Sequence, residues 1–451
     1  MPSTIRSADD GDRALRDHRA LIDFLPRAVD ALPLLRTGAL NWLATAEAAD
    51  PNWSGCFGLQ MCSLEQQQRV RRDVRGDATG ELPEPPPAAR GARLLPATRR
   101  DVPGSWAPAL AAQHRPEPPL PAELVDRGRM RRWFDLLGVP VPDGFEVDAA
   151  ALDPAAAARR LGVPFVAQRP VGGGTYLVRE PADLRAALAR EPDATRWLFR
   201  EHRPGTVLNL HGFVHLDGAV VVTRPSVQLT GIEQVGAEFA RACGSDFAAA
   251  GELPEAVRDR AHRAAERIGS GLAVLGYRGI FGVDLVVQDD AIAVLELRAR
   301  PQDSTWLLGE LERAEGSVPL LVRHALERYG RPTGGTHSRG PSPAVQLTIR
   351  HAGPDGEVAG PVRSGVYALR GDRLVWRRAG GGLLDCSEDE LVVVGLPREG
   401  SALRPGATLG VVATRTALSS PDGQELTERG ERVLAAFHAL NPVAARERAA
   451  V

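Results

Sequence analysis

Three pairs of short β-strand patterns, each joined by a tight connection, most constrain what this chain can fold into. The pairs are residues 163–167 with 176–178, 207–213 with 220–223, and 281–287 with 292–297. Asp217-Gly218, between the second pair, is a strong hairpin-turn signal. Helix patterns separate the hairpins: one covers residues 125–137, and a second opens at Pro254 and runs to about Leu275. Hairpins in alternation with helices predict an α+β fold in which helices cover antiparallel sheets.

Two stretches rich in Pro, Gly and Ser divide the chain, at residues 81–121 and 330–345. A chain of 451 residues is too long for one ordinary core. The predicted units are therefore an N-terminal flanking domain at 1–118, a central domain at 119–330 and a small C-terminal α/β accessory domain at 345–451. The last unit combines strand patterns with a helix pattern at 425–440.

Every basic residue in the chain is arginine, because the 55 basic residues include no lysine. Without a lysine amine the chain has no Schiff-base lysine for pyridoxal phosphate, no covalently attached biotin and no phosphate-loop lysine. Any site for an anion must therefore use the planar, permanently charged guanidinium or backbone N–H groups.

Composition and charge exclude several classes of partner. The chain is 43% hydrophobic and 25% charged, which is typical of a globular protein, and its net charge of −2 gives no reason to expect binding to nucleic acid or an anionic membrane. Its longest apolar runs are far shorter than the roughly 20 residues of a membrane span. The charged N-terminus lacks the apolar region of a secretory signal, so we expect a cytoplasmic protein.

The richest cluster of functional residues lies in the last hairpin, which reads GVDLVV and then VLELRARPQDST. Alternation along the two strands brings Asp284 and Glu296 to one cation if the strands are neighbours. Arg298 and Arg300 share the face of Glu296, because residues two apart in a strand lie on the same side. Two carboxylates beside two arginines suit magnesium, phosphate oxygens and a substrate carboxylate. The alternative is a surface ladder of salt bridges.

A second feature is the glycine run GGGT at residues 172–175. Glycines let backbone N–H groups approach a phosphate without steric hindrance, so such loops often cover nucleotides. The alternative is a plain hairpin turn.

These segments resemble, in order and spacing, the ATP-grasp fold, and most closely the peptide and amino-acid ligases related to the pheganomycin ligase. The resemblance covers about residues 120–330 and rests on VPFVAQRPVGGGTYLV, on LFREHRPGTVLNLHGFVHLDGAVVVTRPSVQLTG and on the last hairpin. It implies an ATP- and Mg²⁺-dependent carboxylate-amine ligase of secondary metabolism. Such an enzyme phosphorylates a small carboxylate and forms an amide or peptide bond with a small amine.

The resemblance also assigns roles to individual residues. It implies Asp284 and Glu296 as magnesium ligands and Arg300 as the catalytic residue that steadies the acyl phosphate oxygens. Arg298, which departs from the family motif, is a second catalytic candidate. The implied nucleotide-binding residues are Arg127, Gln168, Arg169, Gly172, Gly173, Gly174, Thr175 and Glu201. The implied substrate-binding residues are Asn209, Gln228, Gln302 and Ser304.

The chain departs from the family pattern at three places. Arg127 stands where the family usually has lysine, Gln168 where it has lysine or glutamine, the glycine loop is shorter, and Arg298 replaces a metal-binding asparagine. At an effective dielectric constant of ~20, unit charges ~4 Å apart interact by about 4 kcal/mol, and a divalent ion would double this repulsion. If Arg298 points into the site, at most one metal remains; if it turns away, two metals remain possible.

The departures leave two other functions open. One is a degenerate ATP-grasp scaffold that no longer uses ATP and instead binds a ligand or partner, or catalyses a nucleotide-independent reaction. The other is a biotin-dependent carboxylase, whose fold is related and whose biotin would have to sit on a separate carrier protein.

Overall fold

The computed structural model describes residues 124–445, apart from 329, 331, 335–336, 361–362, 379–381 and 398, and three short strands further upstream. These strands are β1 (Ala20–Asp23), β2 (Arg93–Pro96) and β3 (Ala112–Gln113), which form a parallel sheet. The rest of the predicted N-terminal domain at 1–118 lies outside the described residues.

The first helix, α1 (Arg127–Leu136), confirms the helix pattern of the sequence. Its N-cap Asp126 accepts hydrogen bonds from the backbone N–H groups of Gly128 and Arg129 at 2.9 and 3.0 Å, which satisfies two of the free donors at a helix start. Met130 and Phe134 are buried in the main core. The cap and the buried side chains therefore hold α1 in place beside the sheet described next.

A four-stranded antiparallel sheet forms one wall of a deep cleft. Its strands are β4 (Gly144–Asp148), β5 (Phe165–Gln168), β6 (Thr175–Val178) and β7 (Arg196–Glu201), in the order β4-β7-β5-β6. Helices α2 (Pro154–Leu161) and α3 (Pro181–Arg190) accompany it. Phe165 and Ala167 of β5 pack into the small core of this layer, whereas Val166 and Gln168 face the cleft. The alternation of a strand thus divides β5 between core and cleft.

A ten-stranded antiparallel sheet forms the opposite wall. Its first half contains β8 (Thr206–Val214), β9 (Val220–Thr230), β10 (Ala242–Asp246), β11 (Gly279–Gln288) and β12 (Ala291–Arg298). Helix α4 (Glu255–Val274) packs against these strands, as the sequence predicts, and α5 (Thr305–Ala314) and α6 (Leu320–Arg328) follow. The sequence pattern predicts that β9 ends at residue 223, before Pro225. The strand continues through this proline, opposite a register irregularity between Leu210 and Gly212 of β8.

The C-terminal segment continues the same sheet. Its strands are β13 (Val345–Arg350), β15 (Gly365–Arg370), β16 (Arg373–Arg378), β17 (Glu390–Val394) and β19 (Thr408–Thr414). Asp246 of β10 pairs with Val345, so the ten strands run in the order β12-β11-β8-β9-β10-β13-β19-β17-β15-β16. A small sheet contains β14 (Gly356–Val358), β18 (Ala402–Leu403) and β20 (Val443–Ala445), and the last helix is α7 (Glu428–Leu440). The domain boundaries inferred from the sequence stay predictions.

None of the helices in the described ranges is long and apolar enough to cross a membrane.

We expect Phe199→Ala to destabilise the four-stranded layer by about 3–5 kcal/mol, because it empties a buried aromatic position. Phe199 is 1% exposed and contacts the rings of Phe145 and Phe165 edge-on at centroid distances of 5.7 and 5.4 Å. Urea denaturation followed by circular dichroism measures the change. Leu136→Ala is the control, since Leu136 is 85% exposed and its loss should cost less than about 0.5 kcal/mol. Equal shifts for the two variants would contradict the assignment of this core.

Candidate active site

The cleft between the two sheets is the candidate active site. Its volume is 360 Å³, and small-ligand pockets span about 300–1,000 Å³. β5 and β7 contribute to one wall, and β8, β9, β11 and β12 to the other. Its walls bring together these residues predicted from the sequence: Arg127, Gln168, Thr175, Glu201, Gln228, Asp284, Glu296 and Arg298.

The two acidic residues lie where the alternation in the sequence predicts them. Asp284 of β11 and Glu296 of β12 are direct partners across the antiparallel ladder, so both side chains leave the sheet on the same face. On the other side of β11, the partner of Asp284 is Asn209 of β8, whose Nδ2 donates to Asp284 Oδ1 at 2.6 Å. Three neighbouring strands thus carry one row of polar side chains.

Arg298 occupies the space between the two carboxylates. Its Nη1 donates to Asp284 Oδ2, and its Nη2 donates to Glu296 Oε2 at 2.7 Å. Glu296 Oε1 lies 3.6 Å from Nη2 of Arg127. Because Asn209 holds the remaining oxygen of Asp284, every oxygen of both carboxylates has a nitrogen partner.

Burial and charge act in opposite directions on this network. Burial is the largest influence on Asp284 and raises its pKa, against the positive charge of Arg298. Burial also acts to raise the pKa of Glu296, but Arg298 and Arg127 outweigh it and the pKa lies below its usual value. Burial acts to lower the pKa of Arg298, but the charges of the two carboxylates together outweigh burial, and the pKa lies above its usual value. The guanidinium is thus firmly charged and stabilises both acids in their ionised form.

Gln302 and Gly282 support the network from behind. Gln302 Oε1 accepts from Asn209 Nδ2 at 2.7 Å and lies 3.4 Å from Arg298 Nη1. A Cβ at position 282 would fall 1.4 Å from Gln302 Nε2, so only glycine leaves room for this side chain. Within the described part of the chain, Asn209 Oδ1 and Gln302 Nε2 are buried without a hydrogen-bond partner. Buried polar atoms are nearly always paired, so these two are candidates for contact with a ligand.

Two arginines line the cleft beside the acidic pair. Arg127, at the start of α1, donates from Nη1 to the carbonyl oxygens of Arg169 and Gly172 at 3.0 and 2.8 Å. Arg200 of β7 pairs in register with Val166 and therefore lies on the same face as Gln168. Its Nη1 donates to the carbonyl oxygen of Leu295 at 2.9 Å, and desolvation lowers its pKa to about 10. Both guanidiniums remain positively charged at neutral pH.

The glycine loop is held on an internal carboxylate. Glu191 accepts from the backbone N–H of Gly174 at 2.7 Å, from the hydroxyl of Tyr176 at 2.9 Å and from Arg169 at 3.1 Å. The bond from Gly174 is the largest influence on Glu191 and lowers its pKa. Arg169, Gly172, Gly173 and Gly174 lie outside the lining of the cleft in this conformation, whereas Thr175 and Gln168 lie within it and share a hydrogen bond of 2.7 Å.

The other predicted residues take different positions. Arg300 donates to the carbonyl oxygen of Pro301 at 3.0 Å, and its charge acts to lower the pKa of Glu296, although it does not line the cleft. Ser304 is buried at the N-cap of α5. Gln228 lines the cleft from β9. The resemblance placed Asn209 and Gln302 on the substrate side; in the structure Asn209 donates to both Asp284 and Gln302.

Sequence reasoning missed several residues of the cleft. The basic ones are Arg179, Arg200 and Arg203, and Arg200 and Arg203 flank the predicted Glu201 in the printed sequence. His202 and Phe239 are also in the lining and contact each other at a ring-centroid distance of 5.9 Å. Gln424, from the C-terminal segment, reaches the cleft and donates to the carbonyl oxygen of Gly205 at 3.1 Å. Alternation along β7 is the signal that could have indicated Arg200, but this strand was not predicted, whereas the approach of Gln424 depends on the tertiary fold.

Comparison with known proteins identifies the fold. A search against protein families matches none of them. Two solved structures cover nearly the whole chain: a carboxyaminoimidazole ribonucleotide synthase from Aspergillus clavatus complexed with ATP, and an N5-carboxyaminoimidazole ribonucleotide synthetase from Thermus thermophilus. Their TM-scores are 0.53 and 0.51, their sequence identities are 14% and 17%, and the alignments cover 94% and 96% of this chain and 100% of each structure.

Curated relatives support the same assignment. A D-alanine–D-alanine ligase from Desulforudis audaxviator is 30% identical over 211 residues, which are 45% of this chain and 68% of the relative. A formate-dependent phosphoribosylglycinamide formyltransferase from Methylococcus capsulatus is 27% identical over 299 residues, covering 64% of this chain and 66% of the relative. The chain therefore belongs to the ATP-grasp ligases, a family of enzymes that use ATP with magnesium.

Proposed function

We propose that this enzyme activates a small carboxylate as an acyl phosphate at the expense of ATP and joins it to a small amine, forming an amide or peptide bond. The observation that carries the proposal is the convergence of Arg127, Arg200 and Arg298 on one cleft beside the paired carboxylates Asp284 and Glu296. Three fixed cations around a cavity of 360 Å³ suit a polyphosphate and a carboxylate, which are the two anionic reactants of this reaction.

The residues of the cleft fit a nucleotide. Arg127 supplies a cation where the family pattern has lysine, Arg200 supplies a second cation in the lining, and the Oε1 of Gln168 is buried without a partner within the described residues. The lining also contains apolar and aromatic groups, which suit the base of ATP and accompany the predicted hinge residue Glu201: Val166, Val207, Phe239, Val286 and Leu295.

The acidic pair does not fit two magnesium ions held by the protein in this arrangement. All four oxygens of Asp284 and Glu296 face nitrogen atoms, and Arg298 fills the space between them. Among the residues that the structure describes, no group of three or more His, Cys, Asp or Glu is arranged around a metal position. Magnesium brought by ATP is compatible with the cleft, because the phosphates themselves are ligands for the ion.

The proposed reaction has two steps. In the first step a carboxylate oxygen would attack the terminal phosphorus of ATP, the bond from this phosphorus to the bridging oxygen would break and ADP would leave, while Arg127, Arg200 and Arg298 hold the anionic oxygens against their mutual repulsion. The amine then attacks the carbonyl carbon, the bond from this carbon to the phosphate oxygen breaks, phosphate leaves, and the nitrogen loses a proton. Arg300 lies outside the lining in this conformation, but its charge acts on Glu296, and it is proposed to stabilise the acyl phosphate oxygens during this second step.

A second candidate is a degenerate scaffold that no longer binds ATP and instead binds another ligand or partner, or catalyses a nucleotide-independent reaction. Two contacts favour it: Arg298 pairs with both acids, and Glu191 holds the N–H of Gly174 that would otherwise be free for a phosphate. Calorimetric titration with ATP and magnesium separates the candidates, because the ligase must bind ATP and the scaffold must not.

The ligase reaction is tested with pairs of amino acids as carboxylate and amine donors. We expect release of ADP and phosphate that depends on both amino acids, with a product whose mass equals their sum minus one water. ATP binding without any such release across a broad panel of acids and amines would contradict the proposed bond formation.

Arg127→Ala and Arg200→Ala should each weaken ATP binding about 10- to 100-fold, because a hydrogen bond to a charged group contributes about 1.5–3 kcal/mol. Calorimetry with a non-hydrolysable ATP analogue measures the change. Arg185→Ala is the matched control, since Arg185 is exposed on α3, away from the cleft, and should leave the affinity unchanged. Equal affinities for all three variants would remove these arginines from the nucleotide site.

Arg300→Gln should lower the turnover rate about 100-fold or more while it changes ATP affinity less than twofold. The reason is that a group acting on the acyl phosphate stabilises charge that exists only during the reaction. Phosphate release in the presence of the two substrates measures turnover, and calorimetry measures binding. A parallel loss of ATP affinity would assign Arg300 to nucleotide binding instead.

A further inference from the structure

We propose that the guanidinium of Arg298 takes the place of a metal ion held between Asp284 and Glu296, so that the protein itself supplies the fixed cation of its active site. This inference rests on the proposed function for its role toward ATP, but the occupancy of the carboxylate pair is independent of it.

Geometry is the first argument. A single planar group spans both acids, with Nη1 on Asp284 and Nη2 on Glu296 at 2.7 Å. Carboxylates that face each other across an antiparallel ladder repel unless a cation lies between them, and Arg298 lies at that position. A divalent ion placed there would meet the guanidinium at contact distance, so the two cations exclude each other.

The supporting residues are the second argument, because they hold Arg298 in place. Gln302 Oε1 lies 3.4 Å from Arg298 Nη1 and is itself held by Asn209 at 2.7 Å. Gly282, the ladder partner of Arg298, leaves the space that the Gln302 side chain fills. Asn209 also holds Asp284 at 2.6 Å. The side chains of Gln302 and Asn209 therefore fix the guanidinium and its acids in one network.

Exposure to the cleft is the third argument. Arg298 lines the cleft and keeps 26% of its side chain exposed, although it binds two acids. A guanidinium has five N–H groups, and the two carboxylates engage only part of them. The remaining N–H groups suit a phosphate oxygen. The covalently attached guanidinium thus replaces a metal ion that would have to bind from solution.

The proposal predicts how many metal ions the protein takes up. Nucleotide-free wild-type protein should bind no Mn²⁺ at the acidic pair, and with a non-hydrolysable ATP analogue it should take up at most one Mn²⁺ per nucleotide. Removal of divalent ions with EDTA should weaken binding of the analogue less than about tenfold. Electron paramagnetic resonance counts bound Mn²⁺, and calorimetry measures the nucleotide.

Arg298→Asn tests the cause, since it removes the cation and offers an amide oxygen as a ligand. We expect this variant to bind one Mn²⁺ without nucleotide and to lose analogue affinity in EDTA by more than tenfold. Arg298→Lys keeps a positive charge and should bind no Mn²⁺ without nucleotide, even if the loss of the fork weakens its network. Arg185→Asn is the matched surface control, and circular dichroism with thermal unfolding verifies that each variant is folded.

Each outcome decides the proposal. Mn²⁺ binding by nucleotide-free wild-type protein, or two Mn²⁺ ions per nucleotide, would overturn it. Equal Mn²⁺ uptake by wild-type protein and a folded Arg298→Asn variant would also overturn it. If wild-type protein binds no nucleotide in either buffer, the ligase function fails, while Mn²⁺ uptake by Arg298→Asn alone would still support the role of Arg298 as a metal substitute.

Discussion

The ladder of β8, β11 and β12 is the constraint on which the candidate active site depends. Its register sets Asn209 opposite Asp284 and Asp284 opposite Glu296, in one row across three strands. Because side chains alternate along a strand, a shift of this register by one residue would turn the polar row into the helix-covered core and bring apolar residues to the cleft. The long pairing of β8 with β11 prevents this shift. The positions of these polar side chains in the cleft are therefore set by the backbone hydrogen bonds of the ladder.

The exclusive use of arginine gives this cleft a distinct electrostatic character. A lysine in an active site often titrates when it is buried, whereas a guanidinium keeps its charge across the physiological pH range. Even Arg200, whose pKa desolvation lowers to about 10, remains a cation. The positive potential of the cleft is thus almost independent of pH near neutrality, and burial lowers the pKa of His202, which favours its neutral form.

Local patterns in the sequence predicted much of the fold around the cleft, and the reason is physical. Helices α1 and α4 have a cap or an opening proline and an apolar repeat, and the last two hairpins have clear alternation, so these elements depend on neighbouring residues alone. Strands β4 and β7 were missed, because β4 pairs with residues more than 45 positions away and its sequence GFEVD carries only a short alternating pattern. The continuation of β9 through Pro225 was also missed, since a proline ordinarily ends a central strand.

The candidate site was predictable to a similar extent. Spacing placed Asp284, Glu296 and Arg298 on one face, and the structure places them there. The sequence pattern does not predict the direction of the Arg298 side chain, because this direction depends on contacts with Gln302 and, through it, Asn209. The contact between Glu191 and Gly174 had no local signal, since it joins the end of a helix to a loop 17 residues earlier.

The pairing of β10 with β13 has a consequence for how this protein can be divided. Strand β13, which begins the C-terminal segment, covers one edge of β10, with Gly244, Ser245 and Asp246 as the paired residues. A polypeptide shortened at about residue 330 would leave this row of N–H and C=O groups facing water, where a second molecule can add its own strand. The C-terminal segment thus covers an edge of the sheet that carries the cleft. Its removal would favour aggregation and would also remove Gln424 from the wall of the cleft.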